Sequence, residues 1–373
     1  MTIKTESRAA LRELIDTLEE IDSRWASEEW NLFSQDDVVG AHRNLMHLLE
    51  GGLVGHFEYD AMNPQFRRIV TPSRKFTGDN ADALYFDAPV SEEGQYRVVG
   101  EMDGAVYVSI TIETGTETGC MGTGTAGVIN SEMFDIVDGR FELFLGGEPR
   151  GKNWLGLEDA SRITVRYYWE ELQSVAADLS REPRIFIEPL HEVPPAPAPS
   201  DKSVAAGMRR VSEFVRARTL GIVPMAQREQ PAFVSIVPND FPPPVKPGDF
   251  ALAAFDAAYS MAPYYLDDDQ ALVISGRWPE CKFANVVLWN RFQQSYDFTT
   301  RQISRNRKQT QLEADGSFRL VIAHRDPGVP NWIDTQGVSL GLVFWRFMLP
   351  AGDIETPRAE VVSFAEIAAA GPA

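Results

Sequence analysis

The apolar residues change their period near residue 50. Before it, Leu11, Leu14, Ile15, Leu18, Ile21 and Trp25 recur at three- and four-residue steps with Glu and Arg between them, which predicts an amphipathic helix. Val38, Val39, His42, Leu45, Met46 and Leu49 repeat the step, and Gly51-Gly52 is expected to stop that second helix. Beyond it the period becomes two. Tyr96-Arg-Val-Val-Gly, Val106-Tyr-Val-Ser-Ile-Thr-Ile, Phe141-Glu-Leu-Phe-Leu and Ile163-Thr-Val-Arg-Tyr-Tyr-Trp are short β-branched and aromatic runs bounded by Gly, Asp and Asn, and they predict strands. Residues 189–200 are a stiff, extended Pro-rich connector. Asp201 and Ser203 are candidate caps for a helix striped by Val204, Met208, Val211 and Val215. A second Pro-rich turn, 238–248, leads to a short helix expected near Asp249, and strands resume at Leu272-Val-Ile-Ser-Gly.

The two β regions resemble each other. Asp138-Gly-Arg-Phe-Glu-Leu-Phe-Leu matches Asp315-Gly-Ser-Phe-Arg-Leu-Val-Ile, and each is followed by an Asn-Trp pair, Asn153-Trp154 and Asn331-Trp332. Each copy ends in an aromatic strand carrying one arginine, Arg166 or Arg346, and Val98-Val-Gly100 and Ile274-Ser-Gly276 precede comparable strands upstream. The expected fold is mainly β with helical additions: two related jelly-roll-like β-sandwich modules packed together. The segments are an N-terminal helical piece (1–52), a first β-module (53–188), a Pro-rich linker and helix (189–248) and a second β-module (249–373).

Within the second module, Leu288-Trp-Asn-Arg291, Ser304-Arg-Asn306, Asp315-Gly-Ser317, Ala323-His-Arg-Asp-Pro-Gly328, Pro330-Asn-Trp-Ile-Asp334 and Gly341-Leu-Val-Phe-Trp-Arg346 resemble the bacterial domain-of-unknown-function family 1214, often found beside family 1254. Residues 79–170 resemble the upstream β region of the same proteins more loosely. The resemblance implies a jelly-roll-like architecture and no activity. The family pattern often has a histidine after its Asp-x-x-Gly element; here that position is Val338.

Composition narrows the function classes. A net charge of −19 and a pI near 4.7 oppose both the phosphate backbone of nucleic acids and an anionic membrane surface. A small-molecule ligand or substrate is the expected partner. The opening Met1-Thr-Ile-Lys-Thr-Glu-Ser has neither the basic nor the apolar part of a secretory signal. Two cysteines, Cys120 and Cys281, are too few for a disulfide framework or a cysteine-rich zinc site. The chain therefore reads as a reduced cytoplasmic protein with no cofactor and no metal.

The densest cluster of chemistry-bearing residues is the loop of His324, Arg325, Asp326, Asn331, Trp332 and Asp334. An imidazole oriented by a carboxylate suits general acid–base work, and Trp332 offers an apolar wall for a substrate. The same residue types also make ordinary turns, since Asp accepts backbone bonds, Pro fixes φ and Gly takes positive φ. The first copy has Asn-Trp without an adjacent histidine, which moves Asn331 and Trp332 towards scaffold and leaves His324, Asp326 and Asp334 as the catalytic candidates. Asn290, Arg291, Arg301, Asn306 and Arg346 are candidates for gripping an anionic group, or for surface ion pairs. Gly122-Thr-Gly-Thr-Ala-Gly127 matches the dinucleotide fingerprint in its letters, but no helix pattern follows, so a β–β loop is expected. His42 and His47 are five apart, a poor spacing for chelation. Asp267-Asp-Asp269 suits a hard cation or a solvated loop.

Two functions from different classes fit. One is a cofactor-independent hydrolase or lyase acting on a small organic or carbohydrate-like substrate, with His324 as acid or base. The other is a non-catalytic ligand-binding or accessory protein. Trp25, Trp30 and Phe33 at the chain end suggest a homodimer contact.

Overall fold

The protein is described by a computed structural model over residues 3–224, 227–248 and 255–370, the last three as backbone alone. Strands dominate, as the period-two runs require. The first half contains β1 (Arg67–Arg68), β2 (Ala83–Pro89), β3 (Tyr96–Glu101), β4 (Tyr107–Thr114), β5 (Gly124–Asn130) and β6 (Ile136–Val137). It continues with β7 (Arg140–Leu145), β8 (Trp154–Leu155), β9 (Ala160–Tyr168) and β10 (Ile185–Pro189). The second half contains β11 (Ala257–Tyr265), β12 (Gln270–Gly276), β13 (Phe283–Trp289) and β14 (Ser304–Asn306). Then come β15 (Phe318–Ala323), β16 (Trp332–Asp334), β17 (Leu340–Met348) and β18 (Arg358–Ser363).

Four sheets result. The first half forms β1-β2-β9-β4-β5 and β10-β3-β7-β6, with β8 beside β7; the second forms β11-β17-β13-β14 and β16-β15-β12-β18. Neighbours pair antiparallel except β7 with β8 and β15 with β16, which run parallel. Inward-facing residues of the paired sheets meet in a shared core: Ile110, Ile163 and Val165 with Val98 and Leu143 in one half, Val343 and Trp345 with Leu272 and Phe318 in the other. This is the packing of a β-sandwich.

β2 and β13 are buried at every residue, and β9 and β17 at all but the first. One face of each strand lies in its own sandwich core. The opposite face is covered because these two sheets meet each other. Tyr168 packs on Phe283 with ring centroids 5.0 Å apart, and Asn285 donates to Asp82 at 2.8 Å. Pairing sets Tyr85, Arg166 and Ser109 side by side across β2, β9 and β4. It likewise sets Tyr259, Arg346 and Asn285 side by side across β11, β17 and β13.

The helices are α1 (Glu6–Glu20), α2 (Gln35–Gly52), α3 (Asp201–Ala217) and α4 (Phe364–Ala370). Ser200, not Asp201, caps α3, in a capping box with Ser203. Asp201 instead accepts from the Glu6 and Ser7 amides at 2.7 and 2.9 Å and so caps α1. The α-helix α2 ends at Gly52, as expected, but the backbone stays helical and runs on into a π turn, Leu53–Phe57. A Cβ at Gly51 would stand 2.9 Å from Phe76, so these glycines serve close packing. The helix expected near Asp249 lies outside the described residues. Trp25 packs on Phe292 and Trp30 donates to the Ile222 carbonyl, so of the three aromatics behind the dimer expectation only Phe33 is exposed. Among the described residues no helix is long and apolar enough to cross a membrane.

Candidate functional site

Residues two apart in a strand share a face. Arg162, Thr164, Arg166 and Tyr168 of β9 therefore point one way, as do Tyr85 and Asp87 of β2. With Glu113, Tyr259 and Arg346 they line a cavity of about 130 Å³ between the two halves. Phe214 of α3, Arg218 just beyond it, His56 and the turn Thr77-Gly78 complete the wall. Among the described residues of its lining, Arg67, Arg68, Arg74, Arg162, Arg166, Arg218 and Arg346 stand against only Asp79, Asp87 and Glu113. In a chain of net charge −19 the local balance is inverted.

Most of these arginines are held by the protein. Arg162 pairs with Asp87 and lies 3.3 Å from His56 Nδ1. Arg74 pairs with Glu50 at 2.9 Å. Arg166 donates to Thr111 Oγ1 at 2.7 Å and stands 3.5 Å from Glu113 Oε1. Arg346 differs. Its Nη2 donates to the Gly78 carbonyl at 3.3 Å and Tyr259 bonds the guanidinium, while Nε and Nη1 have no hydrogen-bond partner.

The unpaired atoms gather here. Arg68 Nη2, Tyr85 Oη, Glu113 Oε1, Arg162 Nε, Arg218 Nε, and Arg346 Nε and Nη1 are all buried, lack a hydrogen-bond partner, and belong to residues lining this cavity. A buried polar atom left unpaired costs about 1–3 kcal/mol. So many in one cavity mark a space that water or a ligand completes. Burial pushes Arg218 down to about 10, still cationic at neutral pH. Burial, with Arg162 beside it, holds His56 far below the usual imidazole range, so it is neutral. Burial also raises the Asp79 carboxyl, against the pull of Lys75 and the bonds from Ser295.

Of the residues expected from the sequence, Arg346 alone reaches this cavity. The His324 loop is not assembled for acid–base work. His324 Nδ1 is 2.6 Å from Thr335 Oγ1 and Nε2 is 3.3 Å from the Leu266 carbonyl, so both ring nitrogens are engaged by scaffold. Asp326 accepts from the Gly328 amide in a turn and is exposed. Asp334 accepts from Arg301 at 2.7 Å and from the Gln336 amide at 2.8 Å. Neither carboxylate orients the imidazole, because turn geometry has already claimed both.

The remaining candidates are also accounted for. Trp332 donates to the Ala323 carbonyl, and Trp154 of the first half donates to the Gly146 carbonyl. The Asn-Trp pair is a strand clasp in both places. Asn306 is buried and donates to Asp82 at 3.2 Å. Arg291 pairs with Asp37 and lines a neighbouring, mostly apolar cavity. The Gly122–Gly127 stretch runs into β5 rather than a helix. His42 bonds Asp22, and His47 accepts from the Lys75 amide. Among the described residues no group of three or more His, Cys, Asp or Glu is placed to hold a metal.

Arg162, Arg218 and Tyr85 were not singled out from the sequence, and Arg166 was noted there only as part of the repeat. The available signal was an arginine inside a largely apolar and aromatic strand, in each half of the chain. Arg162 and Arg166 also share a face by their even spacing.

No family model and no curated protein matches the chain. Among solved structures it is similar to an uncharacterised protein from Burkholderia cenocepacia, at 26% identity and a TM-score of 0.82, over 96% of this chain and 97% of that one. A Vibrio parahaemolyticus protein is 12% identical at a TM-score of 0.47, over 86% of this chain and 100% of that one. The Burkholderia likeness spans both halves, so the pairing of the two β units is a shared architecture.

Proposed function

We propose that this is a ligand-binding protein that holds a small organic carboxylate in the arginine-lined cavity, between two related jelly-roll-like modules. Matching strand orders support the relation: β2-β9-β4-β5 and β11-β17-β13-β14 follow the same chain order, as do β10-β3-β7-β8 and β18-β12-β15-β16. The equivalent rows Tyr85–Arg166 and Tyr259–Arg346 then face one cavity, and a site at a module interface is a common place for a ligand. The observation that carries the reading is Arg346, 7% exposed with two unpaired guanidinium nitrogens at that cavity. Charge-assisted bonds from buried arginine suit an anion. Asp79, Asp87 and Glu113 in the same wall favour a monoanion over a dianionic phosphate.

Thermal unfolding in sodium acetate or benzoate, against sodium chloride at equal ionic strength, tests this. A ligand at a hundred times its Kd stabilises by about 2.7 kcal/mol. The midpoint is expected to rise in the wild type and not in Arg346→Met. Carboxylate and chloride curves that coincide in the wild type would overturn the reading.

A further inference from the structure

The two facing sheets carry different chemistry beyond their Tyr–Arg rows. On the first sheet, the next row of the same face is Asp87, Thr164 and Thr111, and the row after it holds Arg162 and Glu113. At the matching steps on the second sheet stand Met261, Phe344 and Val287, then Leu342 and Trp289. One face continues polar from its arginine; the other continues apolar from its own.

The apolar side has a cavity of its own. Met261, Trp289, Phe344, Met121 and Val234 line a space of about 200 Å³. Its wall shares Thr77, Gly78, Tyr259 and Arg346 with the arginine-lined cavity. Trp289 and Phe344 stack at 4.2 Å and 20°, giving a flat aromatic wall. Two methionines supply polarizable, adaptable surface. Exposed Arg228 stands on its outer rim. The shared turn is strained: Thr77, a β-branched residue, has φ +23°, next to Gly78 at +88°. Positive φ at such a residue costs about 1–3 kcal/mol and clusters at ligand sites. Here the turn places the Gly78 carbonyl on Arg346 Nη2.

Resting on the carboxylate site proposed above, we infer that the ligand is an amphipathic monocarboxylate, its head on Arg346 and its apolar body along Met261, Phe344 and Trp289. Polar rows on one side of Arg346 and apolar rows on the other orient such a molecule in one direction. A short acyl chain or a single aromatic ring suits the space. A short dicarboxylate would leave its second charge beside Met261, Phe344 and Trp289, which offer it no hydrogen-bond donor in place of water.

Isothermal titration with sodium acetate, butyrate, hexanoate and octanoate tests this on the unmodified protein. Affinity is expected to rise about four-fold per buried methylene until the apolar cavity is full. Val234→Trp, which narrows that cavity from the side of Met261, is expected to lose the gain with length. Acetate binding with no gain along the wild-type series would overturn this inference and leave the anion site standing. A Val234→Trp protein that still gains affinity with length would overturn the placement of the chain. No binding by any member would overturn both the inference and the reading beneath it.

Discussion

Arg166 and Arg346 occupy the same place in two sheets, yet they are set up for different work. Each lies beside a tyrosine in the middle of a buried strand, and both face one cavity. Arg166 finds Thr111 and Glu113 on the neighbouring strand. The corresponding residues beside Arg346 are Val287 and Trp289, which offer its guanidinium no acceptor. One arginine is neutralised by its own sheet, and the other is left with donors to spare. A buried arginine flanked by apolar residues keeps donors that only water or a ligand can meet.

The largest expected effect comes from breaking the paired member. Arg166→Met strands Glu113, 7% exposed, without its cation, and is expected to destabilise by about 3–5 kcal/mol in urea unfolding. A cost under about 1 kcal/mol would show that Glu113 is solvated and the two arginines are alike.

The contact that holds the two rows together should respond to pH. Asp82 joins Asn285 and Asn306 across the halves, and burial pushes its carboxyl up to about 7 despite those donors. A folded pKa above the unfolded one means that the native state binds the extra proton. The stability from this group is therefore full below about pH 4 and lost as pH rises towards about 7, by at most about 1.4 kcal/mol per unit. Denaturant melts across that window should show the slope, and Asp82→Asn should remove it. Equal slopes in both proteins would place the titration elsewhere.

A smaller change should make the second row resemble the first. Val287→Thr gives Arg346 a hydroxyl like the one Thr111 gives Arg166, and one added hydrogen bond of about 1 kcal/mol is expected to weaken carboxylate affinity about five-fold. Calorimetry showing unchanged affinity would mean that the hydroxyl does not reach the guanidinium. The smallest effect is on stability at the unpaired member. Arg346→Met removes a buried charge with unmet bonds, so its unfolding free energy should fall by less than about 1 kcal/mol or rise. A loss as large as that of Arg166→Met would erase the distinction between the rows.

Much of the fold was legible because period two and period three to four are direct consequences of strand and helix geometry. The Asn-Trp clasp was legible too, since the pair occurs in both halves of the sequence. Spacing alone did not show how the candidate loop is bonded, for a physical reason. His324, Asp326 and Asp334 are residue types that serve catalysis and turns equally well, and only bond partners distinguish the uses. Asp201 shows the same ambiguity: a capping residue was expected, but the helix it caps is α1, some 195 positions away in the chain. Gly51-Gly52 reads as a stop on local grounds, while Phe76, which needs the space, arrives from outside the helix.

By itself the sequence determined which side of two strands is polar: Arg162, Thr164 and Arg166 on β9, and Ser109, Thr111 and Glu113 on β4, alternate with apolar residues at fixed spacing. A polar face of an antiparallel sheet is ordinarily left to water. Only the tertiary structure decided that this one is roofed by a second sheet, so that its charges lie in a cavity beside the two unpaired guanidinium nitrogens of Arg346. Alternation is a property of the backbone repeat and can be read residue by residue. What covers a face depends on segments about 180 residues apart in the chain meeting in space, and local spacing carries no record of that.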